Sequence, residues 1–349
     1  MKIHPKFKLN GRYFNAKSLA GLSYSLTKEG APFEIAIGHF LLEWLNPSPE
    51  ITVKTSGSTG RPKQIPLQKA HMVNSALATG AFFNLKPGNS SLLCLSADFI
   101  AGKMMLVRAL VLGLELDYVA PSATPLLANS TTYDFCAMVP MQVQNSLEVL
   151  YKVKQLIIGG APVNNSLRKK LRLINTACYE TYGMTETITH VAVKPLGDSS
   201  GVFKTLPDIT VSIDERDCLV INAPKITNKK VVTNDIVKLI NEEKFQWLGR
   251  FDTIINSGGV KLIPEQIEAK LARLFPGRIF VIGIPDGKLG QKAVLFYESE
   301  SELSNIQEQV AKLDGLAKYE IPKAFYPVAH FAETKSGKVD RLKTSGQVN

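Results

Sequence analysis

A stretch rich in glycine, serine and threonine is the first group of residues that could bind a ligand. It reads TSGSTGRPK over residues 55–63 and follows a short β-branched strand, ITVKT. Backbone N–H groups and hydroxyls in such a loop can hold phosphate oxygens. The spacing of Gly57, Gly60 and Lys63 differs from a Walker A loop, and Pro62 removes a backbone donor. The residues alone therefore allow either a flexible linker or another kind of polyphosphate loop.

Three further groups stand where predicted strands end. IIGGAP (157–162) contains two glycines, which allow a flat ring to approach the backbone closely. YETYGMTET carries Thr185 followed by Glu186, a carboxylate that could hold Mg²⁺. VTNDIV carries Asp235, which could accept hydrogen bonds from both hydroxyls of a ribose. Taken singly, each group is also typical of a turn or a helix cap.

Alternating strands and helices would position these groups. A helix is predicted from about Gln68 to Asn84, and short apolar runs then alternate with helical patterns as far as ACYETYG. This alternation predicts a doubly wound, mostly parallel α/β sheet with ligands outside the carboxyl ends of its strands. A smaller α+β domain follows, with Pro264 at a helix start. We expect a boundary between residues 1–249 and 250–349.

Composition and charge narrow the function classes. The chain is 45% hydrophobic and 21% charged, which is typical of a globular protein. Four scattered cysteines without a C-x-x-C pair argue against zinc and disulfides and favour a cytoplasmic protein. The net charge is +10, but no nucleic-acid motif accompanies it, so we expect no nucleic-acid partner. The apolar stretch 104–116 is too short to insert into a membrane, and the oligomeric state stays open.

In their order along the chain, these motifs resemble those of the adenylate-forming superfamily of acyl-CoA synthetases. The resemblance extends from Val53 to Arg341 and rests on six motifs: TSGSTGRPK, GGAP, YGMTE, TND, LGRFDTIINSGGVKLIPEQIE and KSGKVDR. Asn234 departs from it, standing where the family's Thr-Gly-Asp motif has glycine. The resemblance implies an N-terminal adenylation domain, residues 1–249, and a small mobile C-terminal lid, residues 250–349.

The resemblance also implies a reaction in two halves. A carboxylate attacks ATP to give acyl-AMP and pyrophosphate, and CoA then displaces AMP. Lys338, Glu186 and Thr185 would be catalytic, with Glu186 holding Mg²⁺. The implied phosphate loop comprises Thr55, Ser56, Gly57, Ser58, Thr59, Gly60 and Lys63. The implied adenine and ribose contacts are Gly160, Ala161, Pro162, Tyr182, Gly183, Asp235 and Arg250.

The short chain resembles the family's o-succinylbenzoate–CoA ligases of menaquinone biosynthesis, which implies an aromatic diacid as substrate. Arg108 first, and Lys103 second, would bind the carboxylate that does not react, and His190 could line the same pocket. Phe99 stands near the position where relatives often carry histidine, which leaves that histidine's role unassigned.

The resemblance assigns two further functions to the lid. Asp252 matches the hinge, and the pantetheine arm of CoA would pass Ser257, Gly258 and Gly259. The alternatives are a CoA ligase for another aryl or acyl acid, an adenylation domain that loads a carrier protein, and a non-catalytic nucleotide-binding protein.

Overall fold

The computed structural model describes residues 3–54, 64–127, 130–198, 200–333 and 339–348. Within them the helices are α1 (Ala16–Glu29), α2 (Pro32–Leu45), α3 (Lys69–Phe82), α4 (Ile100–Leu112), α5 (Pro140–Asn145), α6 (Asn165–Leu171), α7 (Pro264–Leu271), α8 (Ile306–Ala311) and α9 (Arg341–Ser345). The first strands are β1 (Lys8–Leu9), β2 (Arg12–Tyr13), β3 (Glu50–Lys54), β4 (Gln64–Gln68), β5 (Ser90–Leu93), β6 (Glu115–Tyr118), β7 (Tyr133–Met138), β8 (Val153–Ile158), β9 (Ala177–Gly183), β10 (His190–Pro195) and β11 (Val202–Thr205). The later strands are β12 (Thr210–Ile213), β13 (Cys218–Asn222), β14 (Val231–Asn241), β15 (Lys244–Arg250), β16 (Ile255–Ser257), β17 (Val260–Leu262), β18 (Ile279–Asp286), β19 (Gly290–Glu298) and β20 (Phe325–Val328). No helix in these ranges is both long and apolar enough to traverse a bilayer.

The chain divides into two compact units. The first comprises Met1–Val211, Ile221–Val231 and Asn241–Lys244, and the second comprises Ser212–Val220, Val232–Ile240 and Phe245–Asn349. The predicted boundary between residues 249 and 250 concerns the functional domains and stays a prediction.

Parallel strands form the centre of the first unit. The strand order is β2-β1-β6-β5-β7-β8-β9-β10-β11. The neighbours from β1 to β9 in this order pair in parallel, whereas β2, β10 and β11 pair antiparallel. Helices α4, α5 and α6 lie in the connections between parallel strands. The predicted α/β class with a large, mostly parallel sheet is confirmed.

Apolar side chains from strands and helices form one core cluster of this unit. Leu156 and Ile158 of β8 lie in this cluster with Leu167 and Leu171 of α6. Each such buried side chain contributes about 1.5–3 kcal/mol. This packing fixes the start of α6 relative to the end of β8, where GGAP is located.

The second unit contains a separate sheet in the order β17-β16-β19-β18, with β20 parallel to β19. Side chains alternate along its strands: Val281 and Leu295 lie in one core cluster, and Phe280 and Phe296 lie in another. Helix α7 begins at Pro264, as predicted, and packs against the first of these clusters through Ile267 and Leu271.

A half-buried ion pair lies at one side of α7. The Arg341 guanidinium lies 2.9 Å from Oε1 of Glu268 and donates to Oε2 at 3.0 Å. The backbone N–H of Val281 donates to the same glutamate at 2.8 Å. Burial raises the pKa of Glu268 to about 7, although Arg341 and this N–H favour the charged form, and nearby Glu265 disfavours it.

This pKa predicts how stability depends on pH. The carboxyl has a reference pKa of 4.5 and a pKa of about 7 in the folded protein, so the folded state binds more protons between these values. The group therefore makes the free energy of unfolding fall as the pH rises from about 4.5 to about 7, by about 3 kcal/mol in full. We expect Glu268→Gln to flatten this decline in thermal unfolding measured from pH 5 to pH 8.

The exposed Glu308, which pairs with Lys312 on α8, supplies the control Glu308→Gln. That variant should keep the wild-type slope. Equal slopes for wild type and Glu268→Gln would contradict the pKa assignment.

Candidate active site

The predicted phosphate loop and the predicted catalytic lysine lie outside the described residues. They are Thr55, Ser56, Gly57, Ser58, Thr59, Gly60, Lys63 and Lys338. The strands on either side of the loop are described: β3 and β4 pair antiparallel, with Lys54 opposite Gln64. Strand β4 was not predicted from the sequence.

The GGAP segment departs from β8 in a conformation that its glycines permit. A Cβ on Gly159 would lie only 2.5 Å from the Thr181 hydroxyl oxygen on β9, and Gly160 has a φ of +84°. The Thr181 hydroxyl donates to the carbonyl of Ile158 at 3.1 Å. Ala161 is half-buried, whereas Gly160 and Pro162 are exposed. Backbone packing against Thr181 and a positive φ therefore explain Gly159 and Gly160 independently of any adenine bound there.

Glu180, which sequence reasoning missed, ties this segment to β9. Its Oε1 accepts a bond from the N–H of Val163 at 3.2 Å, and its Oε2 lies 2.8 Å from both Arg168 and Lys194. Burial disfavours the carboxylate, but Lys194 and Arg168 outweigh this and hold the pKa of Glu180 below its usual value. The charged carboxylate therefore fixes the chain just after Pro162.

A strained turn follows the Thr185–Glu186 pair. Ile188 has φ 64° and ψ −60°, and the N–H of Thr189 donates to the carbonyl of Thr187 at 2.7 Å. This is the rare γ-turn with positive φ, which is unfavourable for a β-branched residue. Ile188 is only 2% exposed, so its burial opposes a strain of about 1–3 kcal/mol.

The turn fixes the backbone that carries Glu186. The Thr187 hydroxyl accepts from the N–H of Met184 at 3.1 Å, and its single proton can be donated to the carbonyl of Thr189 at 2.8 Å or to that of Met184 at 3.0 Å. Thr185 is half-buried and Glu186 is exposed. The described residues contain no group of three or more His, Cys, Asp or Glu that could hold a metal ion. One exposed carboxylate fits Mg²⁺, which binds through one or two carboxylates, water and phosphate oxygens.

Gly183 is required by a close approach of the backbone. A Cβ there would lie 2.2 Å from the carbonyl oxygen of Thr189 and 2.5 Å from the Cα of His190. The neighbouring Tyr182 is half-buried, and its ring meets Phe203 edge-to-face with centroids 5.8 Å apart. The end of β9 therefore packs tightly against the start of β10.

The structure brings Arg108 and His190 together. Arg108, on α4, is only 1% exposed. Its Nη2 lies 3.4 Å from Nδ1 of His190 and from the hydroxyl of Thr189, and its Nε donates to Thr79 at 3.4 Å. Its Nη1 lies 3.6 Å from the sulfur of Met105. Thr79 and Thr189 were not predicted from the sequence.

This cluster carries a positive charge among neutral groups. Burial lowers the pKa of Arg108 to about 9, which leaves the guanidinium protonated at neutral pH, and no described carboxylate pairs with it. Burial, and secondarily the charge of Arg108, hold the pKa of His190 well below 6.5, so the imidazole is neutral. A cation in such surroundings favours an anionic ligand.

The described contact of Lys103 is with α2. Its ammonium group lies 5.0 Å from the centroid of the Phe40 ring, and burial lowers its pKa despite nearby Glu43 and Asp98. Phe99 precedes α4 and is exposed. Of the predicted substrate residues, Arg108 and His190 are the two that contact each other in the described part of the chain.

The second unit brings together Asp235, Arg250 and Asp252. Arg250 Nη1 lies 3.8 Å from Oδ1 of Asp235, and Arg250 donates to both oxygens of Asp252 at 2.9 Å. The bonds from Arg250 lower the pKa of Asp252. Trp247, which was not predicted, donates from Nε1 to Oδ1 of Asp235 at 3.1 Å. The predicted ribose and hinge residues thus form one network.

The Ser257–Gly259 segment forms a tight hairpin turn. Ser257 pairs with Val260, and the two glycines between them have φ values of 58° and 82°. Positive φ at both central residues is the type I′ pattern, which favours Gly-Gly. Both glycines are exposed, and a Cβ on Gly259 would meet nothing within 4 Å. The turn explains the glycines structurally, and passage of a pantetheine arm stays a prediction.

Comparison with known proteins places the chain in a family. A family model described as AMP-binding enzyme matches residues 53–223. A crystal structure from Dyadobacter fermentans, described as an acyl-CoA synthetase (AMP-forming)/AMP-acid ligase II-like protein, is 37% identical. That match covers 95% of this chain and 98% of the other, with a TM-score of 0.63. The chain belongs to the AMP-binding enzymes.

This AMP-binding enzyme is also similar to proteins with a more specific name. A 2-succinylbenzoate–CoA ligase from Listeria monocytogenes is 27% identical, over 95% of this chain and 76% of the relative. The chain spans 65% of the length of relatives with the same name from Staphylococcus aureus. An o-succinylbenzoate coenzyme A synthetase from Bacillus subtilis, in complex with ATP and magnesium ion, has a TM-score of 0.74. It is 20% identical, over 84% of this chain and 69% of its own, so that likeness shows the fold alone.

The close approach at Gly183 generates a stability prediction for this AMP-binding enzyme. We expect Gly183→Ala to lower the midpoint of thermal unfolding by several degrees, because the new methyl group would overlap the backbone of Thr189, at a cost of about 1–3 kcal/mol. Gly197→Ala is the matched control, since nothing lies within 4 Å of a Cβ at that position. If both variants unfold at the wild-type temperature, the packing account of Gly183 is wrong.

Proposed function

We propose that the chain catalyses the AMP-forming ligation of o-succinylbenzoate to CoA. In the first half-reaction, a carboxylate oxygen of the acid attacks the α-phosphorus of ATP, which gives acyl-AMP and releases pyrophosphate. In the second, the sulfur of CoA attacks the acyl carbon, the bond to AMP breaks, and the thiol proton passes to solvent. The products are the CoA thioester and AMP.

The Arg108 cluster is the observation that carries this proposal. Among the described residues, the contacts of the guanidinium are to neutral groups at 3.4–3.6 Å, distances that are long for hydrogen bonds from a cation. Exchange of these contacts for a carboxylate would give a buried charge its counter-ion. An acid with a second carboxylate supplies that group without using the one that reacts. A monocarboxylic acid does not.

The names of similar proteins support the same acid. The relatives from Listeria and Staphylococcus are described as 2-succinylbenzoate–CoA ligases, at 27% and 26% identity. The Bacillus synthetase of similar fold is described in complex with ATP and magnesium ion. Such similarity supports ATP and Mg²⁺ for this chain, and CoA is proposed with them.

The first half-reaction requires cations, because two anions must approach each other. We assign to Lys338 the bridge between the carboxylate and the α-phosphate, and to the Thr55–Lys63 loop the outer phosphates. Glu186 would hold Mg²⁺, which when bound supplies positive charge to the phosphate oxygens. The hydrogen bonds of Thr187 and the buried Ile188 keep the backbone of Glu186 fixed for this purpose.

Two further groups of residues are assigned to the nucleotide. The Tyr182 ring and the Gly160–Pro162 segment would lie along the adenine. Asp235 would accept hydrogen bonds from the ribose hydroxyls, and Arg250 would neutralise the carboxylate. The 3.8 Å separation of Arg250 and Asp235 supports this pairing.

Pyrophosphate release across a panel of acids, with and without CoA, tests the function. We expect release with o-succinylbenzoate and thioester formation once CoA is added. Release only with benzoates, fatty acids or other acids would overturn the substrate and leave the family unchanged. Adenylation followed by transfer to a carrier protein but not to CoA would favour the carrier-loading alternative. The absence of release with every acid would favour a non-catalytic nucleotide-binding protein.

Replacement of the proposed metal ligand gives a second test. We expect Glu186→Gln to fold normally and to adenylate about 100-fold more slowly or worse, because the amide keeps the shape but loses the charge that attracts Mg²⁺. The half-saturating Mg²⁺ concentration should rise. Glu148→Gln, at another exposed glutamate of the first unit, should match wild type. An unchanged Mg²⁺ dependence would remove Glu186 from the metal site.

The two half-reactions should depend on different residues of the second unit. We expect Lys338→Ala to abolish acyl-AMP formation but to convert synthetic acyl-AMP and CoA to thioester. Gly259→Leu should form acyl-AMP but fail to transfer it. Because Gly259 has a φ of +82°, Gly259→Asn is the better-tolerated bulky variant and should show the same loss. Equal loss of both half-reactions in all three folded variants would contradict this division.

A further inference from the structure

The chain contains two tryptophans, and one of them bonds a charged group. Trp44 is an apolar core residue of α2 and is 1% exposed. Trp247 is half-buried on β15, and its Nε1–H donates to Oδ1 of Asp235 on the neighbouring strand, β14. An indole can only donate, so this bond requires the carboxylate oxygen to face the ring. Trp247 therefore restricts the rotation of the Asp235 carboxylate.

The backbone of Asp235 is held by further hydrogen bonds. Its backbone N–H donates to the Thr233 hydroxyl at 3.0 Å, and that hydroxyl donates to the carbonyl of Leu219 at 2.9 Å. These two bonds link the backbone of Asp235 on β14, through Thr233, to β13. Asp235 is 8% exposed, and Arg250 Nη1 lies 3.8 Å from the same Oδ1 that Trp247 bonds, which is too far for a hydrogen bond. The 3.1 Å bond from Trp247 is shorter and more directional than the contact with Arg250.

We propose that Trp247 is a positioning residue that turns the Asp235 carboxylate toward the ribose hydroxyls, and so sets the preference for ATP over deoxynucleotides. The inference rests on the proposed function, in which Asp235 binds the ribose. A carboxylate accepts from two vicinal hydroxyls only when both of its oxygens face them. Rotation of the carboxylate loses one of the two bonds. Trp247→Phe keeps an aromatic ring and removes only the donor, which permits that rotation.

The test measures the ratio of kcat/KM for ATP to kcat/KM for 2′-deoxyATP, and for 3′-deoxyATP, in pyrophosphate release. We expect Trp247→Phe to lower at least one of these ratios about tenfold or more, which is the effect of one hydrogen bond to a charged group. The KM of the acid should not change. Trp44→Phe is the matched control and should keep the wild-type ratios. A general loss of packing would instead lower activity with all three nucleotides alike.

The variant Asp235→Asn tests the ribose assignment of Asp235 separately from the positioning role of Trp247. If this variant keeps the wild-type ratios, the ribose assignment fails and the proposal falls with it. If it lowers the ratios and a folded Trp247→Phe does not, the positioning role of Trp247 alone is overturned. A ratio lowered in both variants supports both assignments.

Fluorescence gives a measurement that does not require turnover. In Trp44→Phe, Trp247 is the sole tryptophan. We expect ATP to change its emission at saturation, and 2′-deoxyATP to need about tenfold more nucleotide for the same change. Emission that stays constant at saturating ATP, with binding verified by calorimetry, would contradict the link between Trp247 and the ribose-binding carboxylate.

Discussion

The guanidinium of Arg108, buried among neutral groups, is the interaction on which the arrangement of the first unit's site depends. A buried charge is unfavourable unless polar groups surround it. Here Thr79 of α3, together with Thr189 and His190 at the start of β10, supply those groups. Three elements distant in sequence therefore meet at one side chain. The weakness of each contact leaves the charge available for a stronger partner.

The need to place Thr189 and His190 beside Arg108 accounts for the strained γ-turn at Ile188. The chain must leave β9 after Gly183 and reverse its direction before β10 begins at His190. The γ-turn at Ile188 makes this reversal possible within a few residues. Gly183 permits the backbone of that turn to approach β9. The segment that carries Glu186 therefore lies between the end of β9 and the Arg108 cluster along the chain. The proposed metal ligand Glu186 is thus joined to the Arg108 cluster by a turn whose backbone is hydrogen-bonded at Met184, Thr187 and Thr189.

Local patterns predicted the elements well. The helix expected from about Gln68 to Asn84 is α3 (Lys69–Phe82), and Pro264 begins α7 as expected. Strand β4 was missed because QIPLQ contains proline and directly precedes a helical pattern. Thr79, Glu180 and Trp247 could not be predicted, since their importance comes from contacts with residues 12 to more than 100 positions away. Periodicity and turn chemistry describe only near neighbours in sequence.

The most direct test of the central claim combines a change in Arg108 with a change in the acid. Adenylation would be measured for wild type and Arg108→Met with o-succinylbenzoate and with 4-oxo-4-phenylbutanoate, which lacks the aryl carboxylate. The account predicts that wild type prefers the diacid about 10- to 100-fold in kcat/KM, which is the contribution of one charge-assisted contact, and that Arg108→Met loses this preference with the KM of ATP unchanged. An equal preference in both proteins would contradict the claim that Arg108 recognises the second carboxylate.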